Sequence, residues 1–170
     1  MRHAFTLLAL LFCACRRGLP PQAQEPQQTL EDLTLSQSTL GRPSWRLEAR
    51  KAVLEENSSQ AALENPRMRF YKNGKPVSTL SALSGLVRMD TQDVRLSSSV
   101  VVTSLEDGSV LKTEELRYSS RGRKFLTEHP VHLARPGGEM RGRGLEASED
   151  LSEIRVFDQR TVIEDGSKLK

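Results

Sequence analysis

The sequence predicts an all-β protein assembled from repeated antiparallel hairpin units, and three observations carry that expectation. Apolar residues alternate at period two. Val94, Leu96, Ser98, Val100 and Val102 share one parity, and Val131 with Leu133 and Ile154 with Val156 lie two apart, which is strand behaviour. Turn dipeptides separate such runs at Asn73-Gly74, Asp107-Gly108, Gly137-Gly138 and Asp165-Gly166. Asn-Gly and Asp-Gly mark hairpins because both central residues of a type I′ turn need positive φ. The pattern also recurs. Leu86, Leu116 and Leu145 stand 30 and 29 residues apart, Leu96, Leu126 and Val156 stand 30 apart, and Val100, Val131 and Val162 stand 31 apart. "LEDGSVLK" at 105–112 nearly matches "IEDGSKLK" at 163–170. A fixed period of this size signals stacked structural units.

Taken in order, the chain opens with "MRHAFTLLALLFCAC", a basic start followed by an apolar run from Ala4 to Ala14. This has the form of a secretory signal, and the run is well short of the roughly twenty residues that span a bilayer. Cys13 and Cys15 close it, and the remaining sequence has no cysteine, so the folded part has no disulfide. Ala14-Cys15 fits a bacterial lipoprotein cleavage site, while Phe12 and Cys13 fit it less well. Three readings stand: lipidation of Cys15, an ordinary cleaved signal, or an uncleaved anchor. Acyl chains on Cys15 would hold the protein at a membrane, at about 0.8 kcal/mol per buried methylene.

Residues 16–40 follow, rich in Pro, Gln and Ser in their first half. That composition reads as a flexible tether. The predicted organisation is therefore 1–15 signal or anchor, 16–40 linker and 41–170 a β domain. "WRLEARKAVLEENSSQAALE" (45–64) is expected as two strands around a turn at Asn57-Ser58-Ser59. Asp107-Gly108 turns the chain into a strand over 111–118, and "SSRGRK" (119–124) turns it again, with Gly122 available for an awkward φ. Pro130 removes a ladder donor and belongs at a strand start or a bulge.

Composition excludes several functions. The net charge is +3 and the pI about 9.1, but both signs are interspersed and aromatics are only 5%. A nucleic-acid binder concentrates its basic residues, so no nucleic-acid partner is expected. His129 and His132 are three apart on a strand and point to opposite faces, so no metal is expected. "PGGEMRGRG" lacks the arrangement of a nucleotide loop. Glu114-Glu115 and Glu149-Asp150 read as exposed charge, and no nucleophile has a base beside it. No enzyme and no cofactor are predicted. The basic turns "SSRGRK" and "RGRG" (141–144) read chiefly as solvated, with Arg contacts to phosphate as the other reading.

Longer segments bear a resemblance. "GRPSWRLEARKAVLEEN", "RMRFYKNGKPVSTLSALSGLVRMDTQDVRLSSSVVVTS", "DGSVLKTEELRYSS" and "VHLARPGGEMRGRGLEA" resemble successive units of the LptC family, a component of the lipopolysaccharide export bridge, over about residues 30 to 165. OstA-type bridge proteins share these units, and a short N-terminal anchor before a single domain favours LptC. The chain departs from the family pattern where most members carry a transmembrane helix.

The resemblance implies an open, twisted antiparallel β-jellyroll whose apolar interior holds lipid A acyl chains. It implies an inner-membrane ATP-driven ABC transporter as lipid donor and a soluble LptA-like bridge protein as acceptor, met by edge-to-edge strand pairing. It places the domain in the periplasm, tethered to the inner membrane by its N-terminus. Alternate positions would then line a lipid groove: Leu47, Ala49, Phe70, Leu86, Val94, Leu96, Val100, Val102, Leu116, Tyr118, Leu126, Val131, Leu133, Leu145, Ala147, Ile154, Val156 and Val162. An ordinary sheet core has the same alternation, and the pattern leaves both readings open. The last strand, Arg160, Thr161, Val162, Ile163 and Glu164, is expected as the partner edge, or else as a frayed tail guarded by Lys168 and Lys170. A structural envelope scaffold and a soluble OstA-type lipid chaperone remain as alternative functions.

Overall fold

The computed structural model describes residues 27–55, 58–158 and 160–162. The signal-like run with Cys13 and Cys15, residues 16–26 of the tether, and Ile163 and Glu164 lie outside them. Among the described residues the protein is all-β. One antiparallel sheet holds twelve strands: β1 (Gln27–Thr39), β2 (Arg42–Glu55), β3 (Gln60–Glu64), β4 (Arg67–Lys72), β5 (Lys75–Ser81), β6 (Ser84–Arg88), β7 (Val94–Ser104), β8 (Val110–Ser119), β9 (Lys124–Arg135), β10 (Gly138–Ser148), β11 (Ile154–Val156) and β12 (Arg160–Val162).

The strands begin earlier than the expected boundary at residue 41. Residues 27–39, read from composition as tether, form β1 and pair along β2. The reason is the alternation hidden in "LTLSQ": Leu33, Leu35 and Gln37 stand opposite Ala49, Leu47 and Trp45. Leu33 and Leu35 pack on the buried cluster.

The short strands are halves of longer bent ribbons. Along β2, residues 51–54 pair with β3 and residues 45–48 with β4, so β3 and β4 form one ribbon bent at Asn65-Pro66. β5 and β6 form the next, since β5 pairs with β4 and β6 with β3. β7 spans both, its Val101–Ser104 half on β5 and its Val94–Ser97 half on β6. β11 and β12 repeat the arrangement against β10. The sheet is thus a meander in which each ribbon bends partway along its length.

The bends have a common backbone cause. Left-handed residues mark them at Asp32 (φ 51), Asn65 (φ 51), Ser98 (φ 66), Ser99 (φ 58), Gly144 (φ 80) and Asp158 (φ 44). Left-handed residues at a bulge re-aim the strand and increase its twist. Main-chain bonding continues through the bends: the N–H of Asn65 donates to the carbonyl of Leu83 (2.9 Å), the N–H of Leu83 to that of Ser98 (3.0 Å), the N–H of Arg143 to that of Phe157 (3.0 Å), and the N–H of Phe157 to that of Gly144 (3.0 Å). Pro130 falls where the β8–β9 register skips between Thr113 and Arg117, so its missing donor leaves no ladder position empty.

The turns refine the expected chemistry. Asn73-Gly74 has both residues left-handed (φ 53 and 78), as the dipeptide predicts, and Leu40-Gly41 (φ 51 and 74) is an unforeseen second such pair. At Asp107-Gly108 only the glycine is left-handed. This connection is longer, and the Asp107 carboxylate caps it by accepting from the Ser109 N–H (3.0 Å) and hydroxyl (2.7 Å). β9 ends at Arg135 and β10 begins at Gly138, so the central residues there are Pro136-Gly137 rather than Gly137-Gly138. In "SSRGRK" the left-handed residue is Arg123 (φ 51), not Gly122.

The inner face of the curled sheet makes a single core. Trp45, Phe70, Tyr118 and Phe125 meet edge-on, with Phe70 4.9 Å from Tyr118 and 5.1 Å from Phe125. Such pairs add about 0.5–1.5 kcal/mol beyond area burial.

Gly144→Ala tests the bends. A Cβ there would lie 3.0 Å from Cδ2 of Phe157 on a backbone at φ +80. We expect a loss of about 1–2 kcal/mol from the left-handed backbone, read as a lower urea midpoint with an unchanged m-value.

Candidate functional site

The inner face is where the sequence places a lipid groove. Thirteen of the predicted residues point into the core and are nearly inaccessible: Leu47, Ala49, Phe70, Val94, Leu96, Val100, Val102, Leu116, Tyr118, Val131, Leu133, Leu145 and Ala147, all at 4% exposure or less. Ile154 and Val156, opposite Ala147 and Leu145, are half-buried and pack on the same cluster. β12 brings the Val162 backbone opposite Glu139.

Two predicted residues face the other way. Leu86 stands in register with Arg95 and Leu126 with Arg117. Both arginines are exposed, and both leucines line clefts of the outer surface. A 30-residue spacing does not carry a face across turns, because each turn's length resets which parity points inward. The true inward residues are Val87, opposite Val94, and Phe125, opposite Tyr118. The signal for Phe125 was present. Tyr118 and Phe125 flank "SSRGRK" evenly, and residues equidistant from a hairpin turn share a face. Met68, Leu80 and Leu111 also line the interior and were missed.

One end of the interior is tied shut by a polar network. Glu149 and Asp150, read from sequence as exposed charge, are each only 6% exposed. They sit in the β10–β11 connection, which folds against the ends of strands remote in sequence. The Tyr118 hydroxyl donates to Glu149 (2.6 Å), Arg123 donates to it through Nε (3.1 Å) and Nη2 (2.6 Å), and the Ser78 hydroxyl donates to its main-chain carbonyl. Lys72 Nζ donates to Asp150 (2.7 Å), as do the hydroxyls of Ser148 (2.7 Å) and Ser152 (2.6 Å). Composition could not reveal this, since a carboxylate in a turn is ordinarily solvated and only the tertiary fold delivers its partners.

Ionisation reflects these contacts. Burial opposes the charge on Asp150, but the bonds from Lys72, Ser152 and Ser148 outweigh it and hold the carboxyl below the usual range. Burial, and then the bond to Glu149, push the Tyr118 hydroxyl up. Hydrogen bonding to Asp150 raises Lys72, and hydrogen bonding to Glu149 raises Arg123.

The sheet is not closed by a ladder. Among the described residues β1 pairs only with β2, and β11 and β12 pair only with β10. The β1 edge is held to the β8–β9 turn by a side-chain bond, from the Ser120 hydroxyl to Oε1 of Gln37 (3.2 Å). No cluster among the described residues gathers three metal-ligating side chains, and no described helix is long and apolar enough to cross a membrane. A family profile described as "Lipopolysaccharide-assembly, LptC-related" matches residues 7–164. Comparison with curated proteins finds no match.

The network predicts an acid-sensitive fold. A carboxyl held below its unfolded value contributes stability that is present at neutral pH and lost as pH falls through the folded value. Asp150→Asn should therefore lower the urea midpoint at pH 7 and lose less than the native chain on acidification below about pH 4. Identical midpoints for the two proteins at both pH values would show that the tie contributes nothing.

Proposed function

The chain belongs to the LptC-related family of lipopolysaccharide-assembly proteins and so works in lipopolysaccharide transport in the cell envelope, and from that premise we propose that its curled sheet shelters the acyl chains of the lipid. The family is one of transport proteins, not of enzymes. The observation that carries the proposal is one unbroken apolar inner face on a sheet whose two edges do not pair with each other.

A chain of roughly 12 to 14 carbons, at about 0.8 kcal/mol per methylene, carries about 10 kcal/mol of gross transfer energy. That makes a bare crossing of an aqueous space prohibitive. Here the protein's own side chains fill the interior, so an acyl chain must replace them. Exchanging one apolar neighbour for another leaves the hydrophobic term nearly unchanged. The opposing cost lies in lost packing and in the polar tie across Glu149 and Asp150. Parting the unpaired edges breaks no continuous ladder.

In this reading the protein receives lipid from the inner-membrane ABC transporter and passes it to a soluble LptA-like bridge protein, with its N-terminus, through Cys15 or an uncleaved anchor, holding it at the membrane. The acceptor pairs on the outer edge of β12, Arg160 to Val162, because a strand with free N–H and C=O groups recruits another strand.

Photoreactive side chains test the interior. Placed at Leu96 or Val131 they should crosslink to lipopolysaccharide, while at the outward Leu126 they should not. No crosslink from either inner position would refute the lipid reading and leave a structural scaffold. Deleting residues 158–170 should abolish capture of the bridge protein while the far-UV spectrum stays that of a sheet. Unimpaired capture would remove the edge from the mechanism.

A further inference from the structure

The outer face of the sheet carries an arrangement that the lipid reading does not use. Register places Arg46 directly opposite Arg69, Arg69 opposite Thr79, and Thr79 opposite Thr103. The adjoining row of the same face runs Glu48, Arg67, Ser81 and Val101. These residues line a cleft of about 370 Å³ crossing β2, β4, β5 and β7, within the range of about 300–1,000 Å³ typical of small-molecule pockets.

The charges in this cleft are unbalanced. Like charges directly opposite in a sheet are destabilising. The comparable pair Arg95 and Arg117 is relieved by Glu115, whose carboxylate is 3.8 Å from Arg95 Nε. Among the described residues, Arg46, Arg67 and Arg69 have neither an ion-pair nor a hydrogen-bond partner, and the hydroxyls of Thr79, Ser81 and Thr103 have none either. Glu48 is the one carboxylate lining the cleft, against three guanidiniums. A row of unspent donors with excess positive charge is what a multiply charged oxyanion requires, and the planar fork of arginine matches phosphate oxygens.

We infer that this outer cleft is a phosphate site, in which Arg46 and Arg69 grip the oxygens of a phosphate monoester, Arg67 and the threonine hydroxyls add donors, and Glu48 accepts from a hydroxyl of the body that carries the phosphate. A phosphorylated sugar has that chemistry. The inference stands on the outer face alone and does not depend on what fills the interior.

The test uses the full chain at fixed ionic strength, so that general screening is constant. Glucose 1-phosphate should bind by calorimetry and raise Tm, while glucose and sulfate should not. Each of Arg46→Gln and Arg69→Gln should weaken binding by about tenfold. The double variant should abolish it and, with the like-charged pair gone, unfold without ligand at the native temperature or above. Glu48→Gln should tighten inorganic phosphate, by removing a negative charge beside it, and weaken glucose 1-phosphate relative to inorganic phosphate. Inorganic phosphate binding as tightly as glucose 1-phosphate would support the phosphate site and assign it to the bare anion. Sulfate matching phosphate, unaltered binding by the double variant, or a lower Tm for that variant without ligand would overturn the inference.

Discussion

A sheet that folds over on itself must bend without breaking its ladder, and this requirement governs the rest of the molecule. An orphaned main-chain donor or acceptor inside a protein costs about as much as a lost hydrogen bond. One ribbon therefore cannot bend alone, because its neighbours must bend in the same row. The line through Asp32, Asn65, Ser98, Gly144 and Asp158 is that row, and the main-chain bonds around Leu83 and Phe157 carry pairing across it. Left-handed residues cost little at glycine and more elsewhere, with Asn and Asp the best tolerated of the others. Three of these five positions are Asp or Asn and one is Gly.

The bend gives the inner face its character. Two apolar halves of one sheet come together, and the rings of Trp45, Phe70, Tyr118 and Phe125 meet between them. What a closed barrel seals with strand pairing, this sheet leaves to core packing and to a polar tie at one end. The tie joins Lys72 to Asp150 and Tyr118, Arg123 and Ser78 to Glu149. Its members come from β4, β5, β8, the β8–β9 turn and the β10–β11 connection, and every bond in it uses a side chain, so separating them disturbs no ladder. A domain built this way keeps an apolar interior without a closing ladder.

Inner and outer faces obey different rules. Inside, alternation selects size and apolarity, and a carboxylate is admitted only where several donors converge on it. Outside, some charges are matched in place, as with Lys124 and Glu146 or Arg88 and Asp90. Arg46 and Arg69 instead set two like charges directly opposite each other. Arg123 joins the two faces: its left-handed backbone is costly for arginine, and its exposed side chain brings a guanidinium to the buried Glu149.

The sequence by itself determined that the chain is a run of antiparallel strands, that its units recur, and that most even-spaced apolar residues share one face. These are local properties, set by the pleat and by the φ values that turns demand. It also carried the family resemblance. The tertiary structure alone decided where strands bend, that Leu33 and Leu35 belong to a strand, that Leu86 and Leu126 face outward, and that Glu149 and Asp150 are buried. Each of these depends on a partner distant in the chain: Trp45 and Leu47 across from β1, the turn lengths that reset parity, and Lys72 and Arg123 arriving at the β10–β11 connection. A residue's type states what surroundings it tolerates, and only the folded course of the whole sheet supplies them.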